Sequence, residues 1–94
     1  MKKIKINNDY EVNIYNHDDI VNIEQVNITS CVFNRDSFME LIKKCYYEIM
    51  YNNNYDIKVY VLVDNNNKIV YHTTDINMFN NEIIDRIINE SEED

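Results

Sequence analysis

The 94-residue chain contains no glycine, no proline, no tryptophan and no alanine. Without glycine there is no P-loop and no Gly-rich dinucleotide turn, because both need a backbone that closes on a phosphate unhindered by a Cβ. Collagen-like, Pro-rich and Gly/Ser-linker architectures fall away for want of their defining residues. Cysteine is scarce: Cys31 and Cys45 have no second pair to complete a zinc site, and they read as two reduced, buried thiols. No run approaches the roughly 18 apolar residues of a membrane span. The opening MKKIKINNDYE has lysines but no apolar stretch behind them, so it does not read as a signal peptide. A cytoplasmic location and no membrane role are therefore expected.

What the chain does have is 17 Asn and 15 Ile, with a hydrophobic content of 45% and a mean hydropathy of −0.54. This composition places it among soluble globular proteins, and its length points to one domain, 1–94. Asn, Ile, Lys and Tyr have AT-rich codons, so the bias fits an AT-rich bacterium, its phage or plasmid, or a large virus. The net charge of −8 is unevenly spread: residues 48–94 carry 3 Lys/Arg against 10 Asp/Glu. Nucleic-acid binding draws its affinity from neutralising phosphates with Lys and Arg, so this field argues against nucleic acid as a direct ligand. A basic partner is instead steered toward it.

With glycine and proline absent, Asn and Asp must supply the turns, at 7–9, 16–19, 52–54 and 64–67. Between these clusters, Ile4 and Ile6, then Tyr10, Val12 and Ile14, alternate at period two and predict an N-terminal hairpin. Val26, Ile28 and Val32 also alternate and predict a strand near 25–33, with 20–24 left open as a bulged extension. Ser37 and Glu40 have capping-box spacing. Behind them Phe38, Leu41, Ile42, Cys45 and Ile49 share one helical face, which predicts a helix ending at Asn52–Asn54. Tyr55–Val63 and Lys68–Thr73 form a second hairpin about Asp64–Asn67, and a last helix starts near Thr74-Asp75 with Ile76, Phe79, Ile83, Ile84, Ile87 and Ile88 as its stripe. The order ββ-β-α-ββ-α gives an α+β fold: an antiparallel sheet of about five strands with two amphipathic helices on one face.

Few residues in this frame suggest chemistry. His17-Asp18-Asp19 reads as a solvated polar turn, since neither a metal nor an acid/base site can be assembled from spacing alone. In His72-Thr73-Thr74-Asp75, Thr74 or Asp75 is the expected N-cap of the following helix. No nucleophile, base and orienting group come together, so no enzyme activity and no cofactor or metal are expected. The hairpin around Asp64 looks like a pattern found in sensory modules such as PAS and CBS domains, but the length departs from the first and the missing glycine and repeat from the second.

Two surface features remain. Asp64 in the hairpin turn, and Asp75, Glu82, Asp85, Glu90, Glu92 and Glu93 beyond it, form an acidic array ending in a tail over 90–94 that is expected to fray. Duplex DNA carries one charge per about 1.7 Å of axis, so carboxylates on a rigid helix can imitate its phosphates. Eight tyrosines are the second feature. Tyr47 and Tyr51 lie off the apolar stripe of their helix, and Tyr60 alternates to the sheet face opposite Val59; all three are candidate binding anchors.

Through the acidic residues Asp64, Asp75, Glu82, Asp85, Glu90, Glu92 and Glu93, the C-terminal third resembles small acidic phage-encoded anti-CRISPR and anti-restriction proteins. The resemblance is one of type, without a shared motif. It implies a non-enzymatic inhibitor in the host cell that blocks a basic nucleic-acid-binding protein such as a defence nuclease. The alternative is a structural or interaction module, a homodimer or a subunit of a larger assembly, held by tyrosine-rich and sheet-edge contacts.

Overall fold

A computed structural model describes residues 1–30 and 37–92, with the side chains of 24–30, 37 and 91–92 outside that description. The element order is β1 (Lys2–Lys5), β2 (Tyr10–Tyr15), α1 (His17–Ser30), α2 (Ser37–Asn52), β3 (Val59–Asp64), β4 (Ile69–Thr73), a short 3₁₀ turn (Ile76–Met78) and α3 (Asn81–Glu92). The class is α+β, as the sequence suggests. Among the described residues there are four strands in place of about five and three α-helices in place of two. The chain divides into two compact units, one formed by Met1–Ile14 with Val59–Asp94 and the other by Tyr15–Lys58.

The first unit is built on the sheet, whose strand order is β1-β2-β3-β4. In the antiparallel β1–β2 hairpin Ile4 lies opposite Val12 and Lys2 opposite Ile14. Period-two alternation therefore puts Ile4, Ile6, Val12 and Ile14 on one face. All four are buried in a cluster with Phe79, Ile83 and Ile87, and Tyr60, Leu62 and Ile84 pack against it. Val59, Val61 and Val63 alternate with Tyr60 and Leu62 along β3 and are buried as well.

The β3–β4 hairpin is closed by Asp64. Its Oδ1 accepts the backbone N–H groups of Asn66 (2.9 Å) and Lys68 (3.0 Å), and Asn67 takes the left-handed conformation at φ 62°. Asn replaces glycine here because its short side chain tolerates that region. Val63 pairs with Ile69 and Leu62 with Tyr71, which leaves Val70 as the extra residue of a β-bulge on the edge strand.

The last helix is shorter than the sequence implies. Asp75 does act as a cap, but of the 3₁₀ turn: its Oδ1 accepts the Asn77 N–H at 2.9 Å. Phe79 is extended, and Asn80 starts α3 by accepting the Ile83 N–H on its Oδ1 at 3.0 Å. Ile83 and Ile87 are buried one turn apart, whereas Ile88 from the expected stripe is exposed. At the far end the Lys2 ammonium donates to the Glu90 carbonyl at 3.0 Å, placing a cation at the negative end of the helix dipole.

The second unit is where the sequence expectation fails. Residues 20–24 and 25–30 belong to α1 and form no strand; 31–33 lie outside the described residues. The helix is set by a reciprocal capping box: Asp19 N–H donates to Asn16 Oδ1 and Asn16 N–H to Asp19 Oδ2, both at 3.0 Å. His17-Asp18-Asp19 is accordingly the first turn of a helix and not a loop between strands. The β-branched residues Val21, Ile23, Val26 and Ile28 have strand propensity, but the cap and packing of α1 against α2 override it. Helix α2 starts at Ser37, where the capping-box spacing puts a start, although the Ser37 side chain lies outside the description. Ile42, Cys45 and Ile49 form its buried stripe. It ends where Asn53 turns left-handed at φ 56° and the Asn54 N–H closes back on the Glu48 carbonyl at 3.2 Å. The stretch 55–58, expected to begin a strand, is turn and coil, and β3 starts only at Val59.

Candidate acidic interface

The amphipathic character of α3 orders its acidic face. With Ile83 and Ile87 held in the core cluster, Glu82 and Asp85 are carried to the exposed side of the same helix, together with Arg86. Glu82 lies in the first turn, where a negative charge complements the helix dipole. Glu90 is half-buried, and its backbone carbonyl is the acceptor for Lys2. Glu92 is the last residue of α3 with its side chain outside the description, and Glu93 lies beyond the described residues.

The other two acidic candidates have structural duties. One oxygen of Asp64 is committed to two turn amides, and one oxygen of Asp75 to the 3₁₀ cap. Asp64 nevertheless has acidic company that sequence spacing does not reveal. The β1–β2 and β3–β4 turns border one open depression of about 230 Å³, lined among others by Lys5, Asp9, Tyr10, Glu11, Asp64 and Asn67. Asp9 and Glu11 are more than fifty residues from Asp64 in sequence and meet it only because β2 and β3 are neighbours in the sheet.

The three tyrosine candidates separate. Tyr47 and Tyr51 are exposed on α2 with their rings stacked, centroids 5.6 Å apart and planes 24° apart. Tyr60 instead sits half-buried on β3, its ring edge-on to Phe79 at 6.3 Å. Burial raises the Tyr60 hydroxyl pKa above its ordinary value, and the negative charge of Asp75 adds to the effect. Tyr71 meets the same Phe79 ring edge-on at 5.9 Å.

The histidine beside two carboxylates also has a defined place. His17 Nε2 is 3.2 Å from Asp18 Oδ1, and its ring meets Tyr55 edge-on at 5.5 Å. Among the described residues no group of three or more His, Cys, Asp or Glu side chains is arranged to hold a metal ion, and no helix is long and apolar enough to cross a membrane. No protein-family model matches the chain, and no curated protein or solved structure is significantly similar to it.

Proposed function

We propose that the protein is a non-enzymatic binding protein that uses the acidic face of α3 to occupy the basic groove of a nucleic-acid-binding protein, in the manner of an anti-CRISPR or anti-restriction inhibitor. The observation that carries this reading is the exposure of Glu82 and Asp85 on a helix whose opposite face is fixed in the core by Ile83 and Ile87. A phosphate mimic needs carboxylates on a rigid support, because carboxylates on a mobile segment lose entropy on binding. The charge of the C-terminal half supplies the long-range attraction, and Glu90, Glu92 and Glu93 extend the same acidic run.

The second reading, a homodimer or assembly subunit, draws on the exposure of Val70 and Tyr71 on the edge strand β4. It is the weaker of the two. The opposite edge, β1, is the lysine-rich KKIK, and β4 carries a bulge, two devices that blunt strand-to-strand association.

The two readings separate on one variant. Glu82→Lys/Asp85→Lys/Glu90→Lys reverses the charge of the face while leaving Ile83 and Ile87 untouched. Circular dichroism checks that the variant is folded: Glu82 and Asp85 are exposed, where a substitution usually changes stability by only about 0.5 kcal/mol, whereas Glu90 is half-buried. Capture of a basic nucleic-acid-binding protein from host lysate should be lost. Undiminished capture by the folded variant overturns the charge-mimic reading.

A further inference from the structure

Helix α3 ends in a way that its own sequence does not favour. The last four carbonyls of a helix have no partner within it, and the dipole is negative there, so a nearby cation stabilises the end. The last turn of α3 holds no basic residue and carries Glu90 and Glu92 instead. Carboxylates at the negative end of the dipole promote fraying, yet the helix runs to Glu92.

The missing cation comes from β1. Lys2 Nζ donates to the Glu90 carbonyl at 3.0 Å, across 88 positions of sequence. Strand alternation decides which lysine of KKIK does this. Lys2 shares the face of Ile4 and Ile6, which cluster with Ile83 and Ile87 of α3, whereas Lys3 and Lys5 take the opposite face. Burial agrees, since Lys2 is half-buried while Lys3 and Lys5 are exposed. On α3, Glu90 follows Ile83 and Ile87 at helical spacing, so it falls on the stripe turned toward β1, and it too is half-buried.

We propose that Lys2 is a positioning residue for the acidic interface: its ammonium, held on β1, caps α3 and keeps the backbone of 89–92 helical. The rigid support of Glu82 and Asp85 thereby extends to Glu90 and Glu92. The bearing on binding rests on the reading that α3 is the interface; the cap itself does not. The proposal also reverses the sign expected from charge alone. Neutralising Lys2 makes the chain more acidic, which by steering strengthens attraction to a basic partner. Loss of the cap instead loosens the acidic run, and re-ordering it on binding costs entropy.

The test follows amide hydrogen exchange of the full chain by NMR in Lys2→Met, which keeps an apolar stem without the charge, and in Lys2→Arg, which restores a cationic donor. Amides 89–92 should exchange about three- to tenfold faster in Lys2→Met, with Val61 and Ile87 holding the parent rate and Lys2→Arg close to the parent throughout. Unchanged exchange at 89–92 in Lys2→Met, an equal acceleration at Val61 and Ile87, or Lys2→Arg protecting no better than Lys2→Met would each overturn the cap. Capture of the basic protein from host lysate should fall for Lys2→Met, and equal or stronger capture by that folded variant would overturn the part of Lys2 in binding. No capture by the parent chain would overturn the interface reading instead, and exchange at 89–92 decides the cap in either case.

Discussion

At the scale of single residues, short polar side chains do the work usually given to glycine. Asn53 and Asn67 take up left-handed backbone, Asn16 and Asn80 begin helices, and Asp64 and Asp75 satisfy turn amides. This limits what the carboxylates can do for a partner: Asp64 and Asp75 each have one oxygen committed to backbone, while Glu82 and Asp85 stand exposed on α3. Tyr60 gives a residue-scale prediction. Its hydroxyl pKa is raised in the folded chain by burial and, secondly, by Asp75, so folding favours the protonated form. The unfolded chain titrates first, near the ordinary tyrosine value of about 10, and the stabilisation is fully present below that pH. It is lost as pH rises through the higher folded value. Urea unfolding at pH 9 and pH 11 should show the chain losing stability, and Tyr60→Phe should lose less; an equal loss in both would contradict the assignment.

At the scale of elements, α3 depends on its cap and its two core isoleucines. Asn80→Ala should cost about 1 kcal/mol, as an N-cap does. Ile87→Ala should cost about 2–5 kcal/mol, because the site is 3% exposed and lies within the packed cluster. Denaturant titration of both variants checks the ranking, and an Asn80→Ala loss equal to that of Ile87→Ala would deny the packing account. The elements also show how far the sequence can be read. Both hairpins and α2 were legible, because their alternation or stripe coincides with an Asn/Asp turn or cap. Helix α1 was not: Val26 and Ile28 alternate as a strand would, and the Asn16–Asp19 box that decides for a helix looks like one more polar turn. The split at Phe79 was hidden for a related reason. Ile76 and Phe79 continue the helical spacing of Ile83 and Ile87, yet Asn80 restarts the helix with a second cap.

At the scale of the whole molecule, the acidic excess lies in the half of the sequence that contains β3, β4 and α3. Composition alone exposes that asymmetry, and helical periodicity places Glu82 and Asp85 on the wet side of their helix. The depression that brings Asp9 and Glu11 to Asp64 needed the strand order, which no local pattern contains. The same holds for Tyr60, whose alternation gave its sheet face but not the Phe79 ring against it.

Competition is the most direct measurement of the central claim. The basic protein captured from host lysate is loaded with a labelled oligonucleotide and titrated with the chain or with its Glu82→Lys/Asp85→Lys/Glu90→Lys variant, at low and at high salt. Phosphate mimicry by α3 predicts that the parent chain displaces the oligonucleotide, that high salt weakens the displacement by screening, and that the variant displaces none. A ternary complex in which the oligonucleotide stays bound, or displacement by the variant equal to that of the parent, would contradict it.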